Sequence, residues 1–256
     1  MLRRFGNKSK MAQYLAPMFP QHTMRIELFF GAGGAYFNLP RPKYAVLNDI
    51  DDDVFNLYMV VRTRKEEFVS AVKQLPISSS LLTHWKTNQE TDPLYKAIRF
   101  VLVSNFTVHG KGFTLRLGQE NAKKRILESI DLVFEYINEA QITCYDFREV
   151  IPKIQFSDRY DKKQSAFVYM DPVYLETEHT YRCPKWTEDD TADCMDIILN
   201  CGIKSAMSEF DHPRVLGMAK ERNLKVYPIK NRRNINKRSN EILITNYLPN
   251  YQLFEQ

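Results

Sequence analysis

Arg25-Ile26-Glu27-Leu28-Phe29-Phe30-Gly31-Ala32-Gly33-Gly34 is the stretch on which the reading of this 256-residue chain turns. Through Phe30 it is too apolar on both faces for a solvated surface, which predicts a buried strand. The glycines that follow permit a sharp reversal and let a ligand approach the backbone closely. Ala35 to Leu39 then reads as the start of a helix. Tyr44 to Leu47 is a second short buried strand ending at Asn48-Asp49, and Val54 to Val61 is helical by period. Strand, glycine turn, helix, strand and acid open a doubly wound sheet. A dinucleotide-binding version would want a third glycine near Tyr36, and none is there. A glycine turn after a strand is also ordinary turn geometry. Asp49 could accept both hydroxyls of a bound ribose, or it could cap the next helix.

Upstream, Met11 to Phe19 reads as a short helix that Pro20 ends. From Glu66 to Gln141 the rhythm changes. Helical stretches (Glu66 to Gln74, Leu94 to Val103, Ala122 to Ala140) surround Asn105 to Gln119, which is rich in Gly, Thr, Lys and aromatics. The α/β alternation then resumes. Ala166 to Met170 is a strand, Asp189 to Asn200 a helix, Ile203 to Met207 a strand and Pro213 to Arg222 a helix. Leu224 to Ile229 and Glu241 to Asn246 are late strands. The expected fold is α/β, with a mainly helical region containing a hairpin, residues 66–141, inserted between residues 1–65 and 142–256.

With 44% hydrophobic residues the chain can bury a large core without disulfides or metal. The 36 Lys+Arg against 31 Asp+Glu leave a net charge of +5, permissive for a polyanionic partner without identifying one. The basic residues cluster. From Lys220 to Arg238 eight Lys or Arg residues accompany one acid, Glu221. That run suits either a solvated face or a basic rim beside a nucleic-acid groove. Cys144, Cys183, Cys194 and Cys201 show neither CxxC nor zinc-ligand spacing, so no metal is expected and the thiols read as reduced in a cytoplasmic protein. No apolar run approaches the roughly 20 residues of a membrane helix. The basic N-terminus (Arg3, Arg4, Lys8, Lys10) is not followed by a signal-peptide core.

Asp171-Pro172-Val173-Tyr174 stands at the end of the Ala166 to Met170 strand. A carboxylate, a stiffened turn and an aromatic ring would point into the crevice above the sheet. The Asp171 side chain and the Pro172 carbonyl could each accept one hydrogen of an exocyclic amine, with Tyr174 stacking on the ring that carries it. An Asp-Pro at a strand end is also an ordinary turn. Asn105 to Arg116 carries glycines, alternating apolar residues, His109, Lys111 and Arg116, and suggests a hairpin that could enter a groove or simply lie on the surface.

With these elements in order, the chain resembles the Dam-type family of adenine-N6 DNA methyltransferases over nearly its whole length. Gly6-Asn7-Lys8 is similar to the family's amino-terminal GGK element, with Asn7 in place of a glycine. Glu27 to Gly34 resembles its EPFFGGG-like loop, with Leu28 in place of proline. Asn48-Asp49-Ile50-Asp51 resembles the acid ending the second strand, and Asp171-Pro172-Val173-Tyr174 resembles DPPY. Lys230 to Asn246, with Arg232, Arg233, Asn240 and Glu241, resembles the carboxy-terminal end.

The resemblance implies a Rossmann-like methyltransferase that transfers a methyl group from S-adenosylmethionine to adenine N6 in double-stranded DNA. It implies cofactor contacts from Lys8, Glu27, Phe29, Phe30, Gly31, Gly33, Asp49 and Asp171, and a target base held by Asp171, Pro172 and Tyr174. Residues 66–141 would recognise DNA, with His109, Lys111, Arg116, Arg232, Arg233 and Lys237 as contacts. A cognate restriction endonuclease is a partner some such enzymes have. Val173 in place of the second proline could loosen the turn, which leaves a catalytically silent DNA-binding relative as one rival reading. Cytosine-N4 methylation is another, though Asp rather than Ser at 171 favours adenine. Cytosine C5 methylation would want a cysteine after a proline, and Cys183-Pro184 has the reverse order. A zinc deaminase would want His-x-Glu and Pro-Cys-x-x-Cys, both missing.

Overall fold

The computed structural model describes residues 2, 7–110, 112–118, 121–156, 163–177, 183–233 and 238–249; for 109, 121, 230–233 and 238–239 it describes backbone only. The strands are β1 (Met24–Glu27), β2 (Tyr44–Asn48), β3 (Gln141–Thr143), β4 (Ala166–Met170), β5 (Lys204–Phe210), β6 (Lys225–Arg233) and β7 (Arg238–Thr245). The helices are α1 (Ala12–Leu15), α2 (Asp52–Thr63), α3 (Lys65–Gln74), α4 (Ser79–Thr87), α5 (Pro93–Phe106), α6 (Asn121–Glu128), α7 (Ile130–Ile137), α8 (Phe147–Lys153), α9 (Glu188–Asn200) and α10 (Pro213–Glu221).

All strands join one seven-stranded sheet of order β3-β2-β1-β4-β5-β7-β6. β3 to β5 pair in parallel, while β7 runs antiparallel to both β5 and β6. The fold is therefore the expected Rossmann-like α/β sheet. Its order reverses between β1 and β4, and in such sheets ligands bind outside the carboxyl ends of the strands at that switch point.

Side-chain alternation decides what covers each face. Ile26, Val46, Val168, Met170 and Met207 point to one side, where Phe147 and Val150 of α8, Met195 and Ile198 of α9, and Val215 of α10 bury them. Ala45 and Leu47 point to the other side, into a core supplied by α2, α3, α5, α6 and α7. On that same side Phe167, Tyr169, Ala206 and Leu243 meet Leu15 and Met18 of the N-terminal segment. The helical block between β2 and β3 is thus continuous with the sheet's own core through α2. Its starts are marked by side chains: Asp51 caps α2, Ser78 caps α4, and Asp92 caps α5 ahead of Pro93.

Several expected elements differ in detail. The first strand ends at Glu27 instead of Phe30, because the chain then turns across the neighbouring strand ends, Leu28 N–H donating to Tyr169 O and Phe30 N–H to Asn48 O. Ala35 to Leu39 begins no α-helix; Tyr36–Asn38 is a single 3-10 turn. Ala122 to Ala140 is two helices, α6 and α7, that change direction around Ser129. The hairpin forms beyond α5 as a Thr107–Leu115 bridge, with Val108 N–H donating to Thr114 O and Arg116 N–H to Phe106 O.

Gly34 shows how tightly the N-terminus docks. A Cβ there would lie 2.1 Å from Asn7 Oδ1 and 2.6 Å from the Lys8 nitrogen. Asn7 fills that space and caps its own 3-10 turn by accepting from Ser9 N–H. Gly34→Ala should therefore lower the unfolding free energy by about 1–3 kcal/mol in urea titration. An unchanged midpoint would show that residues 7–9 do not rest on the glycine loop.

Candidate active site

The carboxyl ends of β1, β2 and β4 meet at one point. Asn48, at the end of β2, uses all its hydrogen-bonding capacity to tie the chain beyond β1 to the end of β3. Its Nδ2 donates to Leu28 O and Tyr145 O, and its Oδ1 accepts from Thr143 Oγ1 and Tyr145 N–H. Beside it, Asp49 does not cap α2; that role falls to Asp51. Asp49 Oδ2 instead accepts from Gly31 N–H at 2.6 Å, and Oδ1 accepts from Asp51 N–H at 2.9 Å. Gly31 adopts φ +51°, a conformation that suits glycine, and Tyr58 OH donates to its carbonyl. The loop after β1 is therefore fixed from both sides while Asp49 stays partly exposed.

Glu27, the last residue of β1, is 3% exposed, and its Oε1 has no hydrogen-bond partner among the described residues. Arg25 Nη1 approaches to 3.9 Å. Burial pushes the Glu27 carboxyl up to about 7, opposed by Arg25 and reinforced by Asp171. The two aromatic residues that follow diverge. Phe29 packs on Phe147 and Trp186, while Phe30 is buried among Tyr36, Phe37 and Tyr58.

Asp171 follows β4 directly. Lys8 Nζ lies 3.0 Å from its Oδ1, and Tyr174 OH donates to the same oxygen at 3.1 Å. Lys8 also donates to Tyr174 OH and lies 3.8 Å from Glu241 Oε2. Lys8 is 3% and Glu241 0% exposed, whereas Asp171 keeps about a fifth of its side chain in solvent. Burial raises the Asp171 carboxyl above the usual carboxylate range in spite of Lys8, and Glu241 adds to the rise. The Tyr174 ring is turned inward, edge-on to Phe210 at 4.7 Å with Lys8 4.6 Å from its centroid.

Glu209, at the end of β5, is fully buried beneath this turn; its Oε2 accepts from Leu175 N–H and its Oε1 from Phe210 N–H. No motif singled it out. Its only sequence signal is a charge in a strand whose neighbours at alternate positions are core residues. Among the expected DNA contacts, Arg116 sits half-buried in the hairpin. His109 lies in a 3-10 turn whose side chain is not described, Arg232 and Arg233 are described as β6 backbone only, and Lys111 and Lys237 lie outside the described residues. No helix of the described residues is long and apolar enough to cross a membrane.

A sheet whose strands β3 to β5 run parallel, with a glycine loop and an acid at its switch point and a carboxylate turn beside them, is a Rossmann-like fold with a candidate ligand site. Residues 5–235 match the family model described as D12 class N6 adenine-specific DNA methyltransferase, and the chain belongs to that family. It is thus an adenine-specific DNA methyltransferase with DNA as its substrate. The DNA adenine methylase of Vibrio cholerae serotype O1 is 22% identical over 214 residues, 77% of this chain and 74% of that protein. The DNA adenine methylase of Escherichia coli (strain K12) is 24% identical over 191 residues, 70% of this chain and 66% of that protein. Among solved structures, an rRNA methylase from Streptococcus thermophilus aligns with 96% of this chain and 98% of its own, at 8% identity and a TM-score of 0.40.

The buried carboxyls carry a pH consequence. Burial pushes Glu209 up to about 8 from 4.5; the Phe210 and Leu175 amides and Lys8 oppose the rise, and Asp171 adds to it. Between those values the folded chain holds a proton that the unfolded chain has released, so stability falls as pH rises. From pH 6.5 to 8 the melting temperature should drop by about 5 °C, and Glu209→Gln should flatten the slope. A wild-type melting temperature that climbs over this range would contradict the assignment.

Proposed function

We propose that the crevice at the carboxyl ends of β1, β2 and β4 binds S-adenosylmethionine and presents adenine N6 to its methyl group. The observation that carries this reading is Asp171. Among the described residues both of its contacts fall on Oδ1, which leaves Oδ2 for a donor from outside the protein. The surrounding groups suit the cofactor. Glu27 Oε1 is buried without a hydrogen bond, as befits an acceptor awaiting a ligand ammonium, and Asp49 offers a partly exposed carboxylate where a ribose would lie. In this reading Lys8, Gly31 and Gly33 border the same space. When bound, S-adenosylmethionine supplies an electrophilic sulfonium methyl group.

The chain's own work is positioning. The target base must leave the duplex stack, since its amino group is otherwise buried in a base pair. Asp171 Oδ2 and the Pro172 carbonyl then accept the two N6 hydrogens, which draws the nitrogen lone pair out of conjugation and aims it along the line of attack. Tyr174 holds Asp171 through its hydroxyl. Stacking its ring on the base would require that bond to open. Residues 66–141 form the target-recognition unit in this reading, with the hairpin residues His109, Lys111 and Arg116 near base edges. Arg232, Arg233 and Lys237 contact phosphates, and affinity is correspondingly salt-dependent.

Tritiated methyl groups from S-adenosylmethionine should enter DNA with the wild-type chain. Asp171→Ala should reduce transfer by at least about a thousandfold while leaving DNA affinity within about threefold. Intact DNA binding with no transfer by the wild-type chain would instead identify a silent binding module.

A further inference from the structure

Glu209 occupies a position that packing alone would give to an apolar residue. It shares its face of β5 with Met207, which belongs to the same core as Val168, Met170 and Cys194, all fully buried. A carboxyl group there is costly unless both oxygens are satisfied. They are: Oε1 accepts from Phe210 N–H at 2.7 Å, and Oε2 from Leu175 N–H at 3.2 Å. The Phe210 bond is local to β5. The Leu175 bond reaches 34 residues back along the chain, into a segment that is neither strand nor helix. On the other side of that segment Thr177 donates to Tyr174 O through both its N–H and its Oγ1, and Glu176 takes φ +60°. The turn is therefore held at one amide by Glu209 and at one carbonyl by Thr177. These are the two polar groups of one peptide, Tyr174–Leu175, and Val173, which lacks the fixed φ of a proline, lies between that anchored peptide and the end of β4.

We propose that Glu209 is a positioning residue for methyl transfer, pinning the Asp171–Leu175 turn through the Leu175 amide so that the Asp171 carboxylate and Pro172 carbonyl keep their aim. This rests on the functional reading above. It also accounts for how a turn with valine in place of a second proline stays rigid: the stiffness comes from a buried carboxyl group behind the turn. A misaimed acceptor pair leaves cofactor binding intact and slows the chemical step.

Two readouts test it on the full chain. Amide hydrogen exchange without cofactor should be several-fold faster at Leu175 in Glu209→Ala than in wild type, with Glu209→Gln intermediate because its single amide oxygen keeps one acceptor. In parallel, Glu209→Ala should slow single-turnover transfer by about tenfold to a hundredfold, with the cofactor KM within about threefold and partial rescue by Glu209→Gln. Where the alanine variant fails to fold, Glu209→Gln decides the question by the same two measurements. Wild-type exchange at Leu175 in the folded variants overturns the anchor, as does a rate loss that merely follows loss of cofactor and DNA binding. A wild-type chain that transfers no methyl group overturns the functional reading, while faster Leu175 exchange in the variants still supports the anchor.

Discussion

The Lys8 ammonium sits 3.0 Å from Asp171 and 3.8 Å from Glu241, almost wholly out of solvent, with the Tyr174 hydroxyl in contact with both it and Asp171. Removing one ammonium from water costs several kcal/mol, and removing the carboxylates costs as much again. The charges are tolerable only together. Their carriers come from the N-terminal turn, the end of β4 and the strand β7, so this one contact closes the chain across its whole length. It also explains why the N-terminal segment must cross the glycine loop so closely that Gly34 has no room for a Cβ. Deleting the Lys8 ammonium would strand the buried carboxyls, a loss of the order of 3–5 kcal/mol.

The same electrostatics shape the site. Glu27, Asp171 and Glu209 cluster at the carboxyl ends of the strands, and burial raises all three above the usual carboxylate range. They divide by the side of the sheet they use. Glu27 follows the alternation of Arg25 and faces the N-terminal segment, while Glu209 follows Met207 and faces α9. Asp171 stands at the edge between them, the one of the three with solvent access.

The sheet was legible in the sequence because buried strands and glycine turns follow local rules. The Arg25 to Gly34 stretch, the acid at 49 and the tetrapeptide at 171 each carry a signal within a few residues. The elements that escaped are those decided at a distance. β3 is three residues long and lies beside the end of β2, where the Asn48 side chain holds Thr143 and Tyr145. The end of β1 at Glu27 reflects Leu28 and Phe30 bonding to neighbouring strand ends, which no pattern of apolar residues reveals. Asp49 as a clamp on the Gly31 amide, in place of a helix cap, likewise depends on where Gly31 lands. Glu209 is the strongest instance, since its partner Leu175 lies on a different segment of chain. The side chains at 232 and 233, expected to meet DNA, belong to a region described here only as backbone.

Nucleoside mass spectrometry of DNA treated with the chain and S-adenosylmethionine bearing a deuterated methyl group tests the central claim most directly, because it reports the base and the atom modified. The geometry around Asp171 predicts that the label is found as N6-methyladenine. Label recovered as N4-methylcytosine, or on no base at all, would contradict it.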